Sequence, residues 1–150
     1  MKIRPAIRQD LPQIIQLIAN DKLGKLREDY QNPLPKHYYD AFDLINKDKN
    51  QELMVIVDDQ NEIIGTLQLT FVQYLTYKGG IRAQIEAVRV KENQRGKGIG
   101  EKLFNWAISR SKEKRAHLLQ LTTDKKRPEA LNFYLKLGFK PTHEGMKMLF

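Results

Sequence analysis

Residues 95–100 read Arg-Gly-Lys-Gly-Ile-Gly, and the chain on either side limits what such a run can be. Ahead of it, Ala83 to Val90 carries the pattern of a strand. Behind it, Ile99, Leu103, Phe104 and Ala107 recur at the spacing of one buried helix face, which predicts a helix to about Arg115. A strand that passes through closely spaced glycines into a helix is a phosphate-binding arrangement. Glycine lets the backbone come near a phosphate, and a helix N-terminus offers free N–H groups and a partial positive charge. Spacing narrows the ligand. The fingerprint G-x-G-x-x-G would need glycine at 101, where the chain has Glu101, and no G-x-x-x-x-G-K-[ST] run occurs. Taken alone, Gly96, Gly98 and Gly100 fit a plain tight connection equally well.

The remaining chain reads as strands and helices in a definite order. Lys2 to Ile7 is an opening strand. Asp10 caps a helix that has Pro12 in its first turn and Leu11, Ile14, Ile15 and Ile18 along one face. The polar stretch from Asn20 to Pro35, broken by Gly24, Pro33 and Pro35, is a loop or irregular helix, and His37 to Asn46 is a second helix. Leu53 to Val57 and Ile63 to Val72 form a hairpin across Asp58 to Glu62, with a turn at Gly79-Gly80 leading into the strand before the glycine loop. His117 to Thr122 is a strand, and Pro128 to Leu137 a helix stopped by Gly138. Phe139 to Thr142 and Met146 to Phe150 are expected to close the sheet as a final pair. Residues 1–150 thus fit one α/β domain, a mixed sheet with helices on both faces, without repeat or linker.

Two separate motifs connect this order to a known family. Ile85-Glu86-Ala87-Val88-Arg89-Val90 followed by Gln94-Arg95-Gly96-Lys97-Gly98-Ile99-Gly100 resembles the central motif of the GNAT superfamily of acetyltransferases. There R-x-x-G-x-G/A receives the pyrophosphate of coenzyme A. Some thirty residues on, Ala130, Tyr134 and Gly138-Phe139 match that family's A-x-x-x-Y-x-x-x-G-F. The resemblance implies a largely antiparallel GNAT sheet, acetyl-CoA as cosubstrate, an N-acetyltransferase activity and a homodimer. It implies cofactor contacts from Arg95, Gly96, Lys97, Gly98, Ile99 and Gly100, and from the strand residues Val88, Arg89 and Val90. The first eighty residues match in outline only. Many relatives carry asparagine three positions before the motif alanine, where this chain has Arg127. Two roles are open to that arginine: reaching a coenzyme phosphate, or facing water.

Acetyl transfer to an amine requires the amine to lose a proton, since an ammonium of pKa about 10.4 is not nucleophilic, and requires an acid for the thiolate that leaves. Strict alternation places Glu86, Val88 and Val90 on one side of their strand, at about 6.6 Å per residue pair. Glu86 is therefore the candidate base, with an ion-paired or solvated strand carboxylate as the plain alternative. Tyr134 is the candidate acid, with packing beside Leu131, Phe133 and Leu137 as its alternative. The same alternation carries Arg82 to the face of Glu86, where it and Arg27 could clamp a carboxylate on the acceptor or could be surface charge.

Composition removes other chemistries. The chain has no cysteine, which excludes disulfides, thiolate metal sites and an acyl-cysteine intermediate, and which fits a reducing cytoplasm. A direct attack in a ternary complex is then expected. His37, His117 and His143 are too scattered for a metal centre, and Ser109 and Ser111 read as surface residues. No apolar run reaches the roughly 18 residues of a membrane span. The net charge of +8 leaves a second class open, a basic regulator that binds nucleic acid and retains coenzyme A, although no helix shows a concentrated basic stripe. Within the enzyme class the acceptor is expected to be a small amine such as a free amino acid, with protein lysine as the alternative.

Overall fold

The computed structural model describes residues 1–21 and 24–150. Its sheet has the order β1 (Lys2–Pro5), β2 (Gln51–Val57), β3 (Ile63–Gln73), β4 (Ile81–Val90) and β5 (Ala116–Gln120). The first four strands are antiparallel neighbours and β5 lies parallel to β4. Between them run the helices α1 (Leu11–Ala19) and α2 (Lys36–Lys47), the single turn α3 (Thr76–Gly79), then α4 (Ile99–Glu113) and α5 (Pro128–Lys136).

Side-chain alternation along the strands sorts the core into two layers. Leu53, Val55 and Val57 of β2 meet Leu11, Ile14 and Ile15 of α1 and Phe42 of α2 on one face. Met54 and Ile56 of the same strand, with Leu67, Leu69, Ala83 and Ile85, meet Ile99, Leu103, Phe104 and Ala107 of α4 on the other. The α4 stripe is the one its helical spacing predicts. Phe133, Tyr134, Leu137 and Phe139 pack onto this second layer, while Leu131 turns out to solvent. Gly138 ends α5 with φ 92°, a left-handed conformation that glycine adopts at little cost, and the next residue returns its N–H to the Tyr134 carbonyl at 3.1 Å. The mixed sheet with helices on both faces is as expected. No helix is long and apolar enough to cross a membrane, and no group of His, Asp or Glu among the described residues could hold a metal ion.

Four local expectations are corrected. Phe139 to Thr142 and Met146 to Phe150 form no strands, and every residue from Lys140 onward is exposed. Asp10 precedes α1 without capping it. Its carboxylate takes two bonds from the Arg4 guanidinium, at 2.6 and 3.0 Å, and one from the Ile7 amide at 2.8 Å, a pairing too distant in sequence to be visible there. Ser111 is buried, its hydroxyl donating to the Ala107 carbonyl at 2.7 Å. The alternation of β4 also breaks. Thr66 stands opposite Arg89 and Gln68 opposite Glu86, so the one residue Leu67 faces both Ala87 and Val88. This is a β-bulge, with Ala87 in the left-handed region at φ 52°.

Candidate active site

The bulge decides which side chains meet. Directly paired residues share a face of the sheet, so Glu86, with Gln68, and Arg89, with Thr66, both point to the α1–α2 side. Val88 and Val90 instead join Ile85 in the layer beneath α4. An unbroken strand would have sent Glu86 and Arg89 to opposite faces and kept Glu86 with Val88. That expectation is overturned, and the signal was hidden because the left-handed position is an alanine rather than a glycine.

Beyond Gln84, paired with Gln120, β4 and β5 no longer bond to each other, while β4 continues to Val90. The second half of β4 therefore has an open edge toward the position β5 would have occupied. At its far end the chain turns through Gly96 and Gly98, both at φ 75°, where L side chains are strained; nothing lies within 4 Å of where a Cβ would stand. Among the described residues, no acceptor takes the backbone N–H groups from Gly96 to Glu101. These amides, with Arg95 and Lys97 exposed beside them and the α4 N-terminus behind, suit a pyrophosphate. Ile99 is buried and anchors the helix. A Cβ on Gly100 would lie 3.3 Å from the Phe133 ring, so α5 packs closely on the first turn of α4.

That contact brings Tyr134 to the site. Its ring lies 5.5 Å from Phe104, 5.7 Å from Phe133 and 6.2 Å from Phe139, and no described residue bonds its hydroxyl. Burial pushes the phenol above its ordinary pKa, and the opposing fields of Arg89 and Arg127 do not cancel this. Packing and proton donation are thus compatible roles for one residue.

Around Tyr134 and the bulge gathers a group of charges that sequence spacing does not foretell. Arg127 bonds the carboxylate of Asp21, and Arg89 lies 3.7 Å from the same Oδ2. Arg27 stands 3.7 Å from Asp124. Arg89 donates from Nη1 to the Val88 carbonyl at 2.7 Å, and its buried Nε has no partner among the described residues. Burial draws the Arg89 pKa down, Asp21 opposes this, and Arg127 and Arg27 add to it. Three arginines with Asp21 and Asp124 leave a positive balance. Glu86 is exposed and accepts from Gln84 Nε2 at 2.9 Å, and Gln84 in turn accepts from Gln120 at 2.7 Å. A cavity of about 150 Å³, walled by Ile18, Tyr38 and Ala41 with Gln68 and Ala87, opens on this face. A larger hollow of about 410 Å³, between Phe42, Leu53, Trp106 and Arg110, includes none of the residues of β4 or of the glycine loop.

Arg82 lies elsewhere. Its guanidinium sits over the rings of Tyr74 and Tyr77, at 4.3 and 5.4 Å, at the opposite end of β4 from the glycine loop. The structure gathers Arg89, Arg127, Arg27 and Tyr134, puts Glu86 on the same face of β4 as Arg89, and leaves Arg82 at the far end of that strand.

The profile of the Acetyltransferase (GNAT) family matches residues 21–139. An aminoalkylphosphonate N-acetyltransferase of Salmonella typhimurium is 29% identical over 142 residues, which are 95% of this chain and 86% of that protein. A crystal structure from Bacillus halodurans C-125, described as a transcriptional regulator, is 54% identical, with a TM-score of 0.96 over 99% of both chains. A predicted acetyltransferase of Clostridium acetobutylicum, crystallised with acetyl-CoA, shares the fold at 21% identity, with a TM-score of 0.75 over 99% of this chain and 95% of its own.

Proposed function

This chain belongs to the acetyltransferase (GNAT) family of acyltransferases, and we propose that it acetylates the primary amine of a small acceptor that also carries an anionic group. The setting proposed is the cytoplasm, and the working form a homodimer. The observation that carries the acceptor reading is the bulge at Ala87, which puts Glu86 and Arg89 on the same face of the sheet, the face that holds the cavity. In this reading the clamp expected of Arg82 passes to Arg89, supported by Arg127 and Arg27. A cavity of 150 Å³ fits a short molecule, and the curated relative acts on an aminoalkylphosphonate.

Acetyl-CoA supplies the thioester carbonyl and the thiol that leaves. The backbone from Gly96 to Gly100, with Arg95 and Lys97, holds its pyrophosphate, and the open edge of β4 around Val88 and Val90 offers backbone groups to its arm. Glu86 accepts the ammonium proton, directly or across one water. The freed nitrogen attacks the carbonyl carbon, the carbon–sulfur bond breaks, and Tyr134 donates its proton to the departing sulfur. The second proton lost from the acylated nitrogen restores the phenol, and Glu86 releases its own to solvent. The raised Tyr134 pKa supports this role, since it keeps the phenol protonated across the neutral range.

A panel assay of free thiol release tests the reading. Aminoalkylphosphonates and amino acids are expected to react, their neutral amides far more slowly, and lysine in peptides least. Equal rates for the charged and neutral acceptors would refute the anionic requirement. The Bacillus halodurans relative supports a second reading, DNA retention. Arg4, Arg8, Lys36, Lys91, Arg110 and Arg127 are each paired with a carboxylate, so a phosphate backbone would have to draw on the other lysines and arginines. Salt-sensitive retention of DNA without thiol release would favour it.

A further inference from the structure

We infer that the acceptor carries, beside its amine, a hydrocarbon substituent of up to about six carbons, and that the cavity between α1 and α2 receives it. The inference deepens the proposed function and rests on its placement of the acceptor over β3 and β4. It does not rest on the anionic requirement.

The floor of the cavity fixes its place relative to the chemistry. Thr66, Gln68 and Ala87 line it. Gln68 is the cross-strand partner of Glu86, Thr66 is that of Arg89, and Ala87 is the bulged residue between the two. The floor is therefore the same stretch of sheet that carries the candidate base and the candidate anion-binding guanidinium. A substituent on the carbon that joins amine to anion is the part of the acceptor directed into it.

Above the floor the lining is hydrocarbon. Ile14 and Ile15 of α1 and Phe42 of α2 face in and are buried, with Leu53 of β2 beside them. No charged side chain among the described residues lines the cavity. Its polar side chains already have partners within the protein. The Thr66 hydroxyl donates to the Met54 carbonyl at 2.8 Å, and Gln68 Nε2 donates to Gln51 at 2.7 Å. The Tyr38 hydroxyl donates to Glu28 at 3.0 Å and accepts from the Asp29 amide at 2.8 Å. A charged or hydroxylated substituent loses its water here and finds those partners taken, whereas a hydrocarbon gains by leaving water. The volume, about 150 Å³, is one at which an apolar cavity holds a six-carbon ring. The cavity is not a sealed gap in the core, because Ala41 on its wall is exposed and Tyr38 is half-buried.

Two homologous series test the inference: 1-aminoalkylphosphonates and uncharged amino acid amides, each lengthened from no side chain to about six carbons. In each series that reacts, kcat/KM should rise about fourfold per methylene over the first few carbons. Calorimetric binding to the coenzyme A complex should show a heat-capacity change that grows more negative with length. Ala41→Leu adds bulk to the wall from an exposed helical position that leucine suits. It should cut the ratio of long to short acceptors by about tenfold or more, while coenzyme A still raises Tm. If length acts in both series and charge does not, the inference stands and the anionic requirement falls. If phosphonates outrun amides but rates stay flat with length, the requirement stands and the inference is overturned. It is overturned too if Ala41→Leu leaves the ratio unchanged, or if no member of either series binds.

Discussion

Asp10 illustrates how a side chain suited to one local role is taken by a stronger distant one. Burial raises its pKa, but the Arg4 and Ile7 bonds together hold the carboxyl below its ordinary value. A carboxyl whose folded value lies below its unfolded one, about 3.9, stabilises the fold fully above that pH. The contribution is lost as pH falls through the depressed value. Asp10→Asn should therefore cost about 2–3 kcal/mol in urea unfolding at neutral pH, and the gap from the parent should close below about pH 4. Tyr134 is the second case at this scale. Tyr134→Phe keeps the ring contacts with Phe104 and Phe139 and removes only the proton donor. It should lower kcat by about 10²-fold or more while coenzyme A affinity holds, in steady-state and equilibrium binding measurements. Full activity at every pH would assign Tyr134 to packing alone.

Helices and the hairpin were legible because their periods and stop signals are local: α4 by its apolar stripe, α5 by Pro128 and Gly138. The glycine loop was legible because positive φ at Gly96 and Gly98 demands glycine. What escaped were features set by pairing across the sheet. The β4 bulge places an alanine at φ 52°, with no residue to announce it, and it reverses which side chains accompany Glu86. The segments Phe139 to Thr142 and Met146 to Phe150 have the composition of strands but no strand neighbour among the described residues, and composition alone cannot supply one. The bulge makes a prediction of its own. A β-branched residue in the left-handed region is strained well beyond alanine, so Ala87→Val should lose roughly 1–2 kcal/mol in denaturant unfolding. It should also depress turnover more than coenzyme A binding, because it moves Glu86 relative to Arg89. Parent-like kinetics in that variant would detach the bulge from catalysis.

The whole molecule is one five-stranded sheet with helices on both faces, and the loop, the phenol and the arginine group lie toward the end where β4 runs on past β5. Coenzyme A binding at the glycine loop should stabilise all of it, by about 2.7 kcal/mol at a hundred times Kd. That is a rise of roughly 5–10 °C in Tm for a domain of this size. Gly98→Glu should abolish the shift, since it forces a side chain and a negative charge into the left-handed turn proposed to hold the phosphates. Whether the bulge at Ala87 pairs Glu86 with an anion-binding Arg89 turns on one ratio. This is kcat/KM for an aminoalkylphosphonate over that for its uncharged counterpart, measured in the parent and in Arg89→Gln. A parent ratio of at least about tenfold, about 1.4 kcal/mol of discrimination, is expected, falling toward unity in the variant while coenzyme A still raises its Tm. A ratio that Arg89→Gln leaves unchanged would contradict it.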